Sequence, residues 1–169
     1  MAHWLSRLIR HRLLDDGDAR RLVGDEALKR IEQRVAASEA RHSGQIRVCI
    51  EAGLPTSYIR RGATPRERAV AMFGKLGVWD TEHDNGVLVY LLLAEHAIEI
   101  VADRGLSRRV PAGEWQAMVQ RMGAAFREGR FEDGLTQALE EVSALLVQHF
   151  PLQPGESNNN ELPDEPVLG

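Results

Sequence analysis

The sequence predicts an α/β fold, a three-layer α-β-α sandwich around a small mixed sheet made of one βαβ crossover plus an antiparallel hairpin. Three observations carry this. Residues 45–52 (QIRVCIEA) alternate apolar and polar side chains, the period of a strand. Residues 64–77 hold a full helix start, Thr64-Pro65-Arg66-Glu67, and a closing Gly77. Residues 86–94 (GVLVYLLLA) are apolar on both sides, the mark of a central strand covered on both faces. Residues 96–103 (HAIEIVAD) return beside them across a turn at Ala94-Glu95-His96. Strand, helix and parallel strand make a right-handed crossover.

The elements follow in order. Residues 1–14 have helical spacing, with Trp4, Leu5, Leu8, Ile9 and Leu13 on one face and Ser6, Arg7, Arg10 and His11 opposite. Asp15–Asp18 break the pattern. A second helix is expected from Asp25 as N-cap, burying Leu28, Ile31, Val35 and Ala36 and ending near His42-Ser43-Gly44. On the first strand Ile46, Val48 and Ile50 face one way, and Arg47, Cys49 and Glu51 the other. Residues 53–63 read as a loop, with room for a short edge strand. The capped helix turns Ala69, Val70, Phe73 and Leu76 inward. After the hairpin, Pro111–Arg127 buries Trp115, Met118, Val119, Met122 and Phe126, and Phe131–His149 buries Leu135, Leu139, Val142 and Leu146. Residues 151–169 are rich in Pro and Asn, which predicts disorder. The division expected is therefore an amphipathic segment (1–24), one domain (25–150) and a disordered acidic tail (151–169). No internal repeat is visible.

Composition narrows the partners. The 169 residues carry a net charge of −4. Glu156, Glu161, Asp164 and Glu165, with no Lys or Arg after residue 150, account for all of it. The near-neutral body argues against nucleic acid. Cys49 is the single cysteine, which excludes an internal disulfide and a Cys-rich metal site and suits a reducing compartment. The longest apolar run, residues 86–94, is far short of the roughly 20 residues of a spanning helix. Arg7, Arg10 and Arg12 interrupt any signal-peptide core. The expected location is cytoplasmic.

The hairpin gathers charges. In an antiparallel pair the start of one strand lies beside the end of the other, so Asp84 and Asn85 should neighbour Asp103 and Arg104. The two parallel strands start at the same edge, which adds His42 and Ser43. Asp80, Glu82, His83, Asp84, Asp103 and His42 thus become one candidate surface. Asp80, Glu82 and Asp84 at i, i+2, i+4 offer oxygens from alternate positions of a loop, as calcium or another hard divalent cation requires, and Asn85 and Asp103 can add to them. The loop is not an EF-hand: counted from Asp80, Asn85 stands where Gly is needed and Leu91 where Glu is needed. The competing reading makes Asp84-Asn85-Gly86 a turn chosen for its tolerance of positive φ, with Asp103 pairing with Arg104 or Arg108, or capping the next segment.

Other catalytic patterns are missing. Cys49 lacks the arginine of a Cys-x5-Arg loop. Asp16-x-Asp18 does not follow an apolar strand. There is no Walker loop, no Gly-x-Gly-x-x-Gly and no His-Glu-x-x-His. Trp79 and Trp115 read as packing under the acidic loop, or as a stacking wall.

The order of these pieces, GQIRVCIEA, ERAVAMFGKLGVW, DNGVLVYLLL, AIEIVADRGL and FREGRFEDGLTQALEEV, resembles the TPM domain family over about residues 27–150. The resemblance implies an α-β-α sandwich and makes the Asp84-Asn85-Gly86 loop the family-matched position, with Asp103 at the end of the second hairpin strand. It also implies divalent cation binding in loops, acid-phosphatase-like activity, or accessory roles in membrane complexes. Common members often carry a signal peptide and a membrane anchor or Gly-rich tail, which this sequence does not show. Two functions follow. One is a non-catalytic accessory or binding module, with an unknown protein partner and a bound divalent cation. The other is a metal-assisted, acid-phosphatase-like hydrolase of phosphomonoesters. Residues 1–14 leave two placements open, docking on the domain's own core through Trp4, Leu8 and Ile9 or peripheral contact with a membrane.

Overall fold

The computed structural model describes residues 2–14 and 16–169. Their order is α1 (Ala2–Arg12), α2 (Asp16–Val23), α3 (Asp25–Glu39), β1 (Gln45–Glu51), α4 (Thr56–Arg60), α5 (Pro65–Lys75), β2 (Gly86–Leu92), β3 (Ala97–Ala102), α6 (Arg104–Ser107), α7 (Ala112–Arg127), α8 (Phe131–His149) and β4 (Val167–Leu168). The sheet order is β3-β2-β1-β4. β1 pairs parallel with β2 (Gln45 opposite Gly86) and with β4, while β2 pairs antiparallel with β3 (Val87 opposite Ala102). The mixed α/β architecture expected from the sequence is the one observed.

Strand alternation divides the core into two layers. Ile46, Val48, Ile50, Val87, Val89, Leu91, Ile98 and Ile100 face a cluster supplied by α3, α7 and α8. Cys49, Leu88, Tyr90, Leu92 and Val101 face a second cluster with Leu54, Ile59, Met72 and Leu162. β2 is buried along its whole length, which is why its sequence shows no alternation. The α5 start works as its residues predict: Thr64 accepts from the Glu67 N–H, and the Glu67 side chain accepts from the Thr64 N–H at 2.7 Å.

Several expectations are corrected. Residues 56–60 form α4, because Pro55 presets an N-cap geometry and Ile59 has an apolar slot to fill. Val70 is exposed and Met72 takes its place, since Ala69, Met72, Phe73 and Leu76 keep the i, i+3, i+4, i+7 face. The residues after Asp15 form α2, whose Ala19 is fully buried. Asp25 lies inside the first turn of α3, and Gly24, at φ 88°, is the cap. Trp115 and Val119 are only half-buried, and Trp79 is exposed.

The largest correction is the tail. Residues 151–169 lie along the β1 edge instead of being disordered. Asn158 Nδ2 donates to the carbonyls of His42 (2.8 Å) and Gly44 (3.0 Å), and Asn158 Oδ1 accepts from Gln45. The Leu162 N–H donates to Gln45 Oε1 at 2.9 Å, and the Leu162 side chain is buried. Arg47 donates to the carbonyls of Pro163 and Glu165. The polar composition that reads as disorder serves an exposed strand edge that needs hydrogen-bond partners.

Candidate functional site

The acidic loop is set by close backbone contacts. Gly77, at φ 67°, closes α5 and leads through buried Val78 to Asp80. A Cβ at Gly86 would stand 2.0 Å from the Val78 carbonyl, so only glycine lets the two segments cross. The Asn85 N–H donates to Thr81 Oγ1 at 3.1 Å, and Asp84 adopts φ 51°, the left-handed geometry that Asp and Asn tolerate. A Cβ at Gly105 would come within 2.6 Å of the carbonyls of His83 and Asp84, so the loop is pressed onto α6.

The topology brings together the ends that the sequence places side by side. The Asp103 N–H donates to the Gly86 carbonyl (2.9 Å) and the Gly105 N–H to the Asp84 carbonyl (2.8 Å). Asn85 Nδ2 donates to Ser43 Oγ at 3.3 Å. Asp103 caps α6 by accepting the Arg104 N–H on Oδ1 at 2.7 Å. Asn85 and Asp103 are buried, whereas Asp80, Glu82, His83 and Asp84 are exposed. Among the described residues, no three His, Cys, Asp or Glu side chains converge on one point.

Two oxygens stand out. Asn85 Oδ1 and Asp103 Oδ2 are buried and have no hydrogen-bond partner. A buried acceptor left unmade costs about 1–3 kcal/mol, more for a charged one. Both are hard oxygen donors of the kind that calcium takes. The chemistry of the donors therefore fits a hard cation, although the set is smaller than the five side chains the sequence offers.

His42 leaves the candidate surface. Its ring is fully buried between α3 and α8, with Nε2 2.7 Å from Ser38 Oγ, which donates to Ser143 Oγ at 2.7 Å. Burial pushes its pKa down to about 4, against the nearby Gly44 carbonyl. The Ser38–His42 pair is closed to substrate and joins helices. Cys49 is equally inert: burial, then Glu51, raises its pKa to about 12.

The sequence reading missed three groups. Glu39 is buried at the end of α3, accepts the Ile46 N–H at 2.7 Å, and is pushed up by burial to about 8. Glu51 accepts from Arg68 through both oxygens (2.8 and 2.5 Å) and from the Tyr90 hydroxyl (2.6 Å). Glu161, from the tail, accepts the Glu82 N–H at 3.1 Å and so reaches the acidic loop. Of the three, Glu51 is the one visible in the sequence, on the second face of the alternating first strand; the contacts of all three depend on residues in other segments of the chain.

Cavities flank the loop. One of about 340 Å³ is lined by Asp84, Arg104, Gly105, Arg108 and Arg109. Arg109 is held there by the His149 carbonyl at 2.7 Å and lies 4.4 Å over the Phe150 ring. Another, about 500 Å³, opens between Ser43, Glu82, Asp84 and the tail's Glu156. A larger groove of about 520 Å³ lies elsewhere, between Arg66 on α5 and Trp115 on α7.

The TPM domain family matches residues 18–145, three quarters of this layout, acidic loop included. The chain belongs to the TPM domain family. Its fold is similar to the NMR structure of BA42 from the psychrophilic bacterium Bizionia argentinensis, at 26% identity and TM-score 0.74, covering 86% of this chain and 94% of that one. It is also similar to the N-terminal domain of a P. gingivalis protein, at 18% identity and TM-score 0.62, covering 83% and 94%. The second likeness shows the fold alone. No curated protein matches. Within this TPM-domain chain, no described helix is long and apolar enough to cross a membrane.

Proposed function

We propose that this TPM-domain protein is a non-catalytic accessory or binding module that holds a divalent cation, calcium by its donor chemistry, at the loop before β2. The observation that supports it most is the pair of unpartnered buried oxygens, Asn85 Oδ1 and Asp103 Oδ2, beside a loop bearing Asp84. A cation would satisfy both. Asp84 would add a carboxylate, and Asp80 and Glu82 an attractive field from the rim. The burial of Ser38, His42 and Cys49, the nucleophile and base candidates described above, favours binding over catalysis. The partner such a module would take is another protein, and the reduced Cys49 suits the cytoplasm.

The test is a calcium titration of the melting temperature, repeated with Asp84→Asn and Asp103→Asn. Asn keeps the backbone geometry at both positions and removes the charge. Wild type should rise, and the variants should rise less or not at all. A melting temperature indifferent to calcium in the wild type ends the cation reading.

One observation favours a second reading, a phosphomonoester hydrolase. Arg104, Arg108 and Arg109 share a cavity with Asp84, and guanidinium groups match phosphate oxygens with paired donors. A bound cation would supply charge neutralisation at the phosphoryl group. Arg104, Arg108 and Arg109 would orient the ester, and Asp103 and Asn85 would hold the loop. Turnover of p-nitrophenyl phosphate that falls with Arg108→Gln and with Asp103→Asn supports this reading; turnover that survives both belongs to a contaminant.

A further inference from the structure

An amphipathic surface helix normally docks by its apolar face. α1 does the reverse. Arg7 Nε donates to Glu95 Oε1 at 2.6 Å and Arg7 Nη2 to the Ala63 carbonyl at 2.7 Å. The Leu54 N–H donates to His11 Nδ1 at 2.9 Å, so Nε2 carries the proton directed at Glu95 Oε1, 2.8 Å away. The end of the helix lies so close that a Cβ on Gly53 would stand 2.7 Å from the His11 carbonyl. Leu8 is the apolar residue of α1 that reaches the core. Trp4, Leu5, Ile9 and Leu13, which the sequence places with Leu8 on one helix face, remain 45%, 48%, 55% and 75% exposed.

The exposed residues form a pattern. Leu5, Ile9 and Leu13 are spaced i, i+4, i+8, and the helical bond from the Leu13 N–H to the Ile9 carbonyl (2.9 Å) keeps them in one ridge. At 100° per residue, Arg12 falls on one side of that ridge and Arg10 on the other. Residues 2–14 contain no Asp or Glu, and neither Arg10 nor Arg12 enters an ion pair among the described residues. Four of the seven exposed large hydrophobic residues of the described structure are on this one segment. A contiguous apolar ridge rimmed by cations, on a protein of net charge −4, marks an interaction surface.

We infer that the outward face of α1 is a docking surface for an anionic phospholipid bilayer, with Leu5, Ile9 and Leu13 entering the interface and Arg10 and Arg12 meeting lipid phosphates. Charge decides the occupant: a basic rim around an apolar ridge suits lipid phosphates over acyl chains. The Arg7–Glu95–His11 contacts keep the helix seated on the domain with that ridge outward. This surface is independent of the acidic loop, so it stands or falls apart from the cation reading.

The test is co-sedimentation of the full chain with phosphatidylcholine vesicles and with vesicles that also contain phosphatidylglycerol. Wild type should sediment with the anionic vesicles and be released by salt. Leu5→Glu/Ile9→Glu should abolish binding while leaving the melting temperature unchanged, because both positions are exposed. Arg10→Gln/Arg12→Gln should bind about thirtyfold more weakly at low salt, about fivefold for each arginine. Wild type that stays in the supernatant overturns the inference. Equal binding to neutral vesicles, unaffected by the arginine substitutions, overturns the role of charge. A concentration-dependent dimer that Leu5→Glu/Ile9→Glu dissolves would replace the bilayer with a second copy of the chain.

Discussion

Replacing Asn85 with Asp puts the cation reading to a test in which the sign of the effect changes. Asn85 is fully buried, its Nδ2 donates to Ser43 Oγ, and its Oδ1 has no partner. In Asn85→Asp the hydrogen bond to Ser43 loses its donor, and a second carboxylate is buried at the same edge of the sheet as Asp103. An uncompensated buried charge costs about 3–5 kcal/mol. For 169 residues, an unfolding entropy of about 2.1 cal/mol/K per residue gives about 0.35 kcal/mol/K, so the metal-free variant should melt about 8–14 °C below wild type. Calcium at about 100 times its dissociation constant adds about 2.7 kcal/mol, or about 8 °C, to the wild type. In the variant the ion also relieves the new charge, so its rise should exceed that of the wild type and recover most of the loss. The assay is calorimetry at pH 8, well above the ordinary carboxylate range, with chelator and with excess calcium. A variant destabilised equally with and without calcium would refute the reasoning, because Asn85 would then be a structural turn residue and nothing more.

Other consequences can be checked separately. His42 has a depressed pKa in the folded state, so its contribution is present above its unfolded value of 6.5 and is lost as pH falls towards about 4; His42→Gln should flatten that acid limb, whose slope is roughly 1.4 kcal/mol per pH unit. Glu39 has a raised pKa, so its contribution is full below 4.5 and is lost as pH rises towards about 8; Glu39→Gln should remove that fall, read from urea midpoints at pH 5 and pH 8. Asn158→Ala breaks the bonds to His42, Gly44 and Gln45 and should cost about 2–3 kcal/mol. It should also speed amide exchange at Leu162 and Gly169; unchanged exchange would mean that the tail does not rest on β1. Gly105→Ala would drive a Cβ into the carbonyls of His83 and Asp84 and should cost about 1–3 kcal/mol while weakening any calcium response.

Local patterns made much of the fold legible. The uninterrupted apolar run of β2, the alternation of β1 and the Thr64–Glu67 capping box each express a rule that acts over a few residues. They fixed the crossover, the hairpin and the meeting of Asp84 and Asn85 with Asp103. The same rules failed where a distant partner overrode them. Val70 yielded to Met72 because the helix settled on the face that matches the sheet. The tail's Asn and Pro looked like disorder because nothing nearby in sequence announces that β1 has an edge to be covered.

The sequence by itself determined the α/β class, the order of β1, β2 and β3 and which polar residues share one edge of the sheet, because hydrophobic period and chain connectivity are written in neighbouring residues. Only the tertiary structure decided what each of those residues does. It buried His42 against Ser38 and left Asn85 Oδ1 and Asp103 Oδ2 without partners. It brought Glu161 back across 79 residues to Glu82 and seated α1 by Arg7 and His11 with its apolar ridge outward. Burial and pairing are set by what lies across the fold, and a carboxylate, an imidazole or a leucine carries no local mark of which neighbour it will meet.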